Sequence, residues 1–71
     1  MLPGSVIDLW ANRRARVRVL LKNGEAVEGR LIGADVSPAG KWFGNLAVFN
    51  ERGLFLIRAD SIVLIQLLEA L

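Results

Sequence analysis

The sequence predicts a mainly β fold, in which one short N-terminal helix lies on a strongly bent five-stranded antiparallel barrel. Three observations predict it. The hydrophobic period changes from about 3.6 residues to about two near residue 12, an Asn-Gly pair marks a tight hairpin turn, and further turn clusters divide the remainder into short apolar strands. A sheet this small and this bent is expected to close on itself, as a single domain over residues 1–71.

The first predicted element is a short helix that begins at the chain breakers Pro3 and Gly4. Val6, Leu9 and Trp10 follow at positions i, i+3 and i+4, so they share one helical face. We expect this face, and Trp10 in particular, to pack on the core.

A hairpin is predicted next. Val17 and Val19 lie between arginines, which gives one strand an apolar face and a mostly basic face. The Asn-Gly pair at 23–24 favours a tight turn into the return strand. Gly29 and Gly33 leave that strand without side chains at two points, as a sharp bend or barrel corner requires.

Three shorter strands are predicted beyond a loop at residues 36–44. They cover residues 46–49, 54–58 and 62–68, with turns at 50–53 and 59–61. The last strand is apolar on both faces except at Gln66, so it needs cover on both sides. An edge strand of a neighbouring copy can provide that cover.

The hydrophobic content exceeds what one small core can hide. Hydrophobic residues make up 54% of the chain before its seven glycines are counted, whereas soluble domains have about 45–50% with glycine included. A chain of this length buries only about 60% of the surface that its unfolded form exposes. No uncharged run reaches the roughly 18 residues of a membrane span. The surplus therefore predicts contacts between copies, in a homo-oligomer.

Composition also argues against an enzyme. The chain has no cysteine and no histidine, which excludes disulfides, zinc sites of the Cys or His type, thiolate nucleophiles and imidazole bases. Its seven carboxylates form no evident acid–base pair. We expect no cofactor, no metal and no membrane association. The N-terminus lacks signal-peptide features, which favours a cytoplasmic location, and the net charge of +2 permits an anionic partner without demanding one.

Two motifs in order resemble those of the Sm/LSm family, most closely the archaeal Sm-like proteins. The first family motif reads Val-x-Val-x-Leu-Lys-x-Gly, then an apolar residue, Gly-x-Leu, a glycine and Asp. The chain matches it at Val17, Val19, Leu21, Lys22, Gly24, Val27, Gly29, Leu31, Gly33 and Asp35. The second family motif consists of a glycine, an apolar strand and Ile-Arg-Gly-x-Asn-Ile/Val. Residues 53–62 match it except at two positions, where Ala59 replaces the usual glycine and Ser61 the usual asparagine.

The resemblance, which covers about residues 3–66, implies an Sm-like fold and a ring. Strand 4 of each subunit would join strand 5 of its neighbour, with a heptamer favoured over a hexamer. It also implies that the ring binds single-stranded U-rich RNA near its pore, in RNA processing or ribonucleoprotein assembly. Repeating a weak site around a ring raises avidity by about 10²–10⁴.

The resemblance implies particular RNA-binding residues as well. In the family the first motif ends Asp-x-aromatic-x-Asn, where the aromatic stacks on a base and the Asn binds its edge. Counting back from Asn45 makes Phe43 the stacking residue. Nine residues rather than three separate Asp35 from Asn45, which is an insertion of six. This insertion leaves open whether Trp42 or Phe43 stacks.

Arg58 matches the second-motif arginine, which packs its guanidinium plane on the other side of the base, and Asp60 stands at the variable position beyond it. An amide such as that of Asn45 offers both a donor and an acceptor to the edge of uracil. A guanidinium adds a planar cation. The simpler alternatives are a turn-forming role for Asn45 and an ion pair of Arg58 with Asp35 or Asp60.

Two other functions remain open. The loop at 36–44, with Pro38, Trp42 and Phe43, suits a ring that serves as a protein-assembly scaffold with weak or no RNA binding. A monomeric duplex-binding barrel is the third possibility, although such proteins usually have a larger basic excess. The arginines at 13, 14, 16 and 18 are either a solvated strand face or a second RNA surface.

Overall fold

The computed structural model describes residues 3–69 and consists of one helix followed by five antiparallel strands. The helix α1 covers Gly4–Asn12, and the strands are β1 (Arg16–Leu21), β2 (Ala26–Val36), β3 (Phe43–Asn50), β4 (Gly53–Arg58) and β5 (Ile62–Glu69). A 3-10 helix at Ala59–Ser61 joins β4 to β5. The predicted helix and five antiparallel strands are thus confirmed. Over the described residues, no helix is both long enough and apolar enough to cross a membrane.

The predicted closed barrel is wrong, because the sheet is open. Its strand order is β4-β3-β2-β1-β5, and within residues 3–69 no ladder joins β4 to β5. The 3-10 helix carries the chain away from β4 and delivers β5 to the far side of β1. Both strands therefore remain edges, each with one unpaired side. Ring assembly stays a prediction, since the structure is that of one chain.

The core lies on one face of the sheet, which we call the inner face, under α1. Val17 and Val19 of β1 are completely buried there, as the alternation predicts. The opposite, outer face carries the side chains of alternate residues and has no helix over it among the described residues. The buried core consists of Ile7, Ala11, Val17, Val19, Leu31, Phe43, Leu46, Val48, Ile57 and Ile62.

The helix buries a different face from the predicted one. Ile7 and Ala11 are buried, whereas Leu9 is about half exposed. Trp10 is partly buried and packs against the core, so only that part of the prediction is confirmed. Small residues determine which face of the helix is buried, because a Cβ at Gly4 would collide with the backbone of the loop before β3. The helix axis can approach the sheet closely only along the face that contains Gly4 and Ala11.

Of the two glycines expected to bend β2, one is required by close approach. A Cβ at Gly29 would collide with the carbonyl oxygen of Phe49, whereas the nearest atom to a Cβ at Gly33 is the Cβ of Ala47, at 3.8 Å. Gly29 therefore allows β2 to cross tightly over β3, and Gly33 does not serve that purpose.

The predicted loop is shorter than 36–44, because β2 and β3 extend into it and leave residues 37–42. The Ser37 hydroxyl accepts the backbone N–H groups of Lys41 at 3.1 Å and Trp42 at 3.4 Å. Gly40 has a φ of 69°, and its carbonyl accepts the N–H of Ser5 at 2.8 Å. The loop is thus closed on itself and fastened to the start of α1.

Candidate nucleic-acid interface

Four of the six predicted site residues form one row at an end of the outer face, which we call the polar row. Asp35 lies on β2, Asn45 on β3, Arg58 at the end of β4 and Asp60 in the 3-10 helix. Asn45 and Arg58 are directly opposite each other in the β3–β4 ladder. All four side chains are exposed, so residues distant in sequence present polar groups to solvent at one place.

Hydrogen bonds divide the polar row into two pairs. Asn45 Nδ2 donates to Asp35 Oδ2 at 3.4 Å, and Arg58 Nη2 donates to Asp60 Oδ2 at 2.8 Å. The ion pair expected as the alternative role of Arg58 is therefore present. Both its members are largely exposed, and such pairs contribute about 0–1 kcal/mol. Asn45 lies inside β3 and forms no turn. Within residues 3–69 its amide oxygen accepts no hydrogen bond and can serve a ligand.

A shallow depression of about 300 Å³ adjoins the polar row. Ala47 and Leu56 contribute its apolar surface, and Asp35 and Asn45 stand at its polar side. This volume is at the low end for small-ligand sites. The arrangement suits a small flat group whose face is apolar and whose edge forms hydrogen bonds.

A second depression, of about 430 Å³, lies on the other side of Arg58 and includes Lys22 and Asp60. Lys22 reaches this place because its backbone N–H donates to the Ser61 carbonyl at 2.9 Å. Lys22 and Arg58 balance the charges of Asp35 and Asp60. The polar row therefore favours a ligand through hydrogen bonds more than through net charge.

The structure separates the two aromatic candidates. Phe43 is 6% exposed and belongs to the core, whereas Trp42, just before β3, is 62% exposed. A ring buried in the core cannot stack on a base, so Phe43 does not fill the implied stacking position. Trp42 is accessible, but among the described residues neither ring lines the depression beside the polar row.

A bulge in β3 explains why Phe43 and Asn45 face opposite sides although two residues apart. Val36 is opposite Phe43 and Ala34 is opposite Leu46. One residue of β2 thus faces two of β3, and the extra residue reverses the alternation. Counting positions along a motif does not register this extra residue.

The exposed aromatic on the same strand and face as Asn45 is Phe49. It is 53% exposed and lies between Arg30 of β2 and Leu54 of β4 in the two ladders. The sequence pattern marks Phe49 only as part of an apolar strand. Strand alternation is the feature that indicates its orientation. Because Val48 is buried, the side chain of the next residue, Phe49, faces outward.

The arginines of β1 lie on the outer face, as the alternation predicts, and two arginines of this region, Arg16 of β1 and Arg30 of β2, are paired with acidic residues. Arg16 contacts Glu28 at 2.7 Å, and Arg30 contacts Glu69 at 3.3 Å. Arg14, with a φ of 55°, donates to the Ile32 carbonyl at 2.8 Å. This region is therefore a solvated and partly neutralised basic surface.

Comparison with known proteins identifies a fold and no family. No protein-family model matches the chain, and no curated protein matches it. Among solved structures, the chain is similar to YaeO bound to magnesium from Vibrio cholerae O395, with 20% identity and a TM-score of 0.72 over 93% of this chain and 83% of that one. At this identity the likeness shows the fold alone. Within residues 3–69, no three acidic side chains come together to hold a metal ion.

The implied membership in the Sm/LSm family is wrong. The structural likeness is to YaeO, and no family model supports an Sm assignment. The matched positions have a more general origin, because alternating valines, an Asn-Gly turn and a bend glycine are what a sharply bent hairpin requires. The second motif departs at Ala59 and Ser61, where the chain forms the 3-10 helix.

Proposed function

We propose that this protein binds single-stranded nucleic acid, RNA in the first instance, at the polar row and does not act on it chemically. The observation that carries the proposal is the convergence of Asp35, Asn45, Arg58 and Asp60 beside an apolar depression. An exposed amide and an exposed guanidinium next to an apolar surface are suited to a nucleobase, which has a flat face and a polar edge.

In this proposal the base lies against Ala47 and Leu56, and its edge meets the Asn45 amide. Uracil offers two acceptor oxygens and one N–H donor, which an amide can pair with. Arg58 exchanges its exposed contact with Asp60 for the base or the adjoining phosphate. We expect uridine-rich strands to be preferred, because the Asn45 amide can offer both a donor and an acceptor to the edge of uracil.

We further propose that the chain works as a homo-oligomer with its edge strands as interfaces. Leu56 of β4 is 75% exposed, and β5 exposes Val63, Leu64, Leu67 and Leu68. Unpaired apolar edges promote strand pairing between chains. Pairing β4 with β5 of the next copy is a heterologous contact, which closes into a ring at a suitable angle. Once the family resemblance is withdrawn, seven copies have no advantage over six.

The proposal is tested by fluorescence anisotropy with labelled oligouridine and oligocytidine at physiological salt. We expect micromolar or tighter binding of oligouridine, weaker binding of oligocytidine, and a loss of at least fivefold in Asn45→Ala, equivalent to about 1 kcal/mol. Asn12→Ala is the matched control, because Asn12 is an exposed amide at the end of α1. Equal and weak binding of all oligonucleotides would refute the proposal.

A protein-assembly scaffold is the second candidate, favoured by the exposed apolar residues Trp42, Phe49, Leu54 and Leu56. Monomeric soluble proteins seldom expose a large contiguous apolar patch without a partner. If this candidate is right, affinity capture from nuclease-treated extract recovers a defined polypeptide, and Trp42→Ala or Leu56→Ala abolishes its recovery.

A further inference from the structure

The outer face has a third depression, of about 460 Å³, at the opposite end of β3 from the polar row. We call it the Phe49 cleft. Phe49, Arg16 and Arg30 line it, together with Glu28, Asn50 and Glu51. None of these residues belongs to the polar row, and the nucleic-acid site proposed above does not use them.

Phe49 supplies the cleft with an accessible aromatic surface. It is directly opposite Arg30 in the β2–β3 ladder, and both residues line the cleft, so an aromatic ring and a guanidinium are available at one site. Aromatic rings flanked by arginine bind unstacked bases without strong sequence preference. Asn50, the next residue, donates from Nδ2 to the Glu28 carbonyl at 2.8 Å and accepts the Arg52 N–H at 2.8 Å. These bonds hold the β3 end of the cleft in place.

The two arginines are held by contacts that a phosphate can replace. Arg16 is paired with Glu28 and Arg30 with Glu69, and all four side chains are substantially exposed. Surface ion pairs of this kind stabilise proteins little, whereas phosphate offers arginine a bidentate partner. Glu28 and Glu51 balance the charge of the cleft, so base stacking is expected to contribute more to affinity there than net charge.

The Phe49 cleft and the polar row lie on one line. Asn45 and Phe49 are four residues apart on the same face of β3, which is about 13 Å at roughly 3.3 Å per residue. A stacked strand covers this distance with about four nucleotides at 3.4 Å each, and an extended strand with fewer. Ala47, with Leu56 opposite, lies between the two sites.

We propose that the Phe49 cleft is a second contact for a single nucleic-acid strand that runs along β3. Phe49 stacks on one base, Arg30 and Arg16 bind phosphates, and another base of the same strand occupies the polar row. The proposal rests on the proposed function and adds to it a path along β3 and a ligand that must be longer than a dinucleotide.

The test compares Phe49→Leu with Leu54→Ala in anisotropy titrations of labelled oligouridines of two, four and eight nucleotides. Leu54 is the matched control, because it lies directly opposite Phe49 and is 55% exposed against 53%. We expect Phe49→Leu to weaken binding of the longer strands at least fivefold, as loss of one stacked base implies. Leu54→Ala should change the Kd less than twofold. The difference in Kd between the two variants should be smallest for the dinucleotide.

A salt series tests the phosphate contacts. Arg30→Gln should lower the slope of log Kd against log salt by about one, as expected for one lost phosphate contact. Arg18→Gln is the control, because Arg18 lies on the same face but does not line the cleft. Equal slopes for the two variants would remove the phosphate contact from the proposal.

The outcomes separate this inference from the function on which it rests. If Asn45→Ala weakens binding and Phe49→Leu does not, the cleft has no role and the proposed function stands. If neither variant changes binding, both proposals fail. If Phe49→Leu and Leu54→Ala weaken binding equally and both lower the sedimentation coefficient, the surface joins copies of the chain and the cleft proposal is overturned.

Discussion

The two ends of β3 carry the same residue type with opposite roles. Phe43 at its start is buried in the core, and Phe49 near its end is exposed on the outer face. Two register shifts of the β2–β3 ladder lie between them, and the one between Phe43 and Leu46 adds a residue to β3, which reverses the alternation. The comparison shows that the face of a strand residue depends on ladder register, which a residue count along one strand does not contain.

The largest expected contrast is in stability. Phe43→Ala should lower the free energy of unfolding by about 3–5 kcal/mol, because it leaves a cavity in the core. Phe49→Ala should change it by about 0.5 kcal/mol or less, as for exposed positions. Urea denaturation of both variants measures the contrast. Similar losses for the two would mean that Phe49 is also packed, against another copy of the chain.

Substitution of Gly29 tests the close crossing of β2 over the end of β3 that carries Phe49. Gly29→Ala should destabilise the fold by about 1–3 kcal/mol, because the new methyl meets the Phe49 carbonyl. Gly33→Ala should cost less than about 1 kcal/mol, since its methyl has room. Equal effects in thermal or urea unfolding would place the bend of β2 elsewhere.

The edge strands extend the comparison to contacts between copies. Val63→Lys places a charge on β5, which should weaken self-association at least tenfold, or about 1.4 kcal/mol. Leu9→Lys is the control, because Leu9 is similarly exposed but lies on α1. Sedimentation over a concentration series measures both. A single-copy wild-type protein at micromolar concentration would contradict the proposed assembly.

The smallest expected effect separates binding from folding at the polar row. Arg58→Gln should weaken oligouridine binding about fivefold, while unfolding changes by less than about 1 kcal/mol, because its ion pair with Asp60 is exposed. Arg52→Gln, in the exposed turn after β3, removes the same charge and should leave binding within about twofold. If both variants bind equally weakly, only net charge matters.

Local patterns predicted much of the fold. The alternation at Val17 and Val19 and the Asn-Gly turn indicated the first hairpin correctly, since both depend on neighbouring residues. The helix face and the closed barrel were not predictable in this way. The first depends on the fit of Gly4 against the loop, and the second on how the 3-10 helix redirects β5. Both outcomes involve segments distant in sequence, since β5 pairs with β1.

The candidate site shows the same division. Asp35, Asn45, Arg58 and Asp60 lie together as their motif positions imply, although the family that suggested them is wrong. Phe43 was placed by counting across the bulge and lies in the core. Phe49 became visible only when the register placed it beside Arg30. Motif spacing can bring polar residues together, but ladder register decides which aromatic accompanies them.

The most direct test of the account is photo-cross-linking of the protein to an oligouridine that contains 4-thiouridine, followed by mass spectrometry of the cross-linked peptides. The account predicts cross-links in the strands of the outer face, at residues 45–49 of β3 and 54–58 of β4, which excess unlabelled oligouridine suppresses. Cross-links confined to α1 and the loop at 37–42, or none that the competitor suppresses, would contradict it.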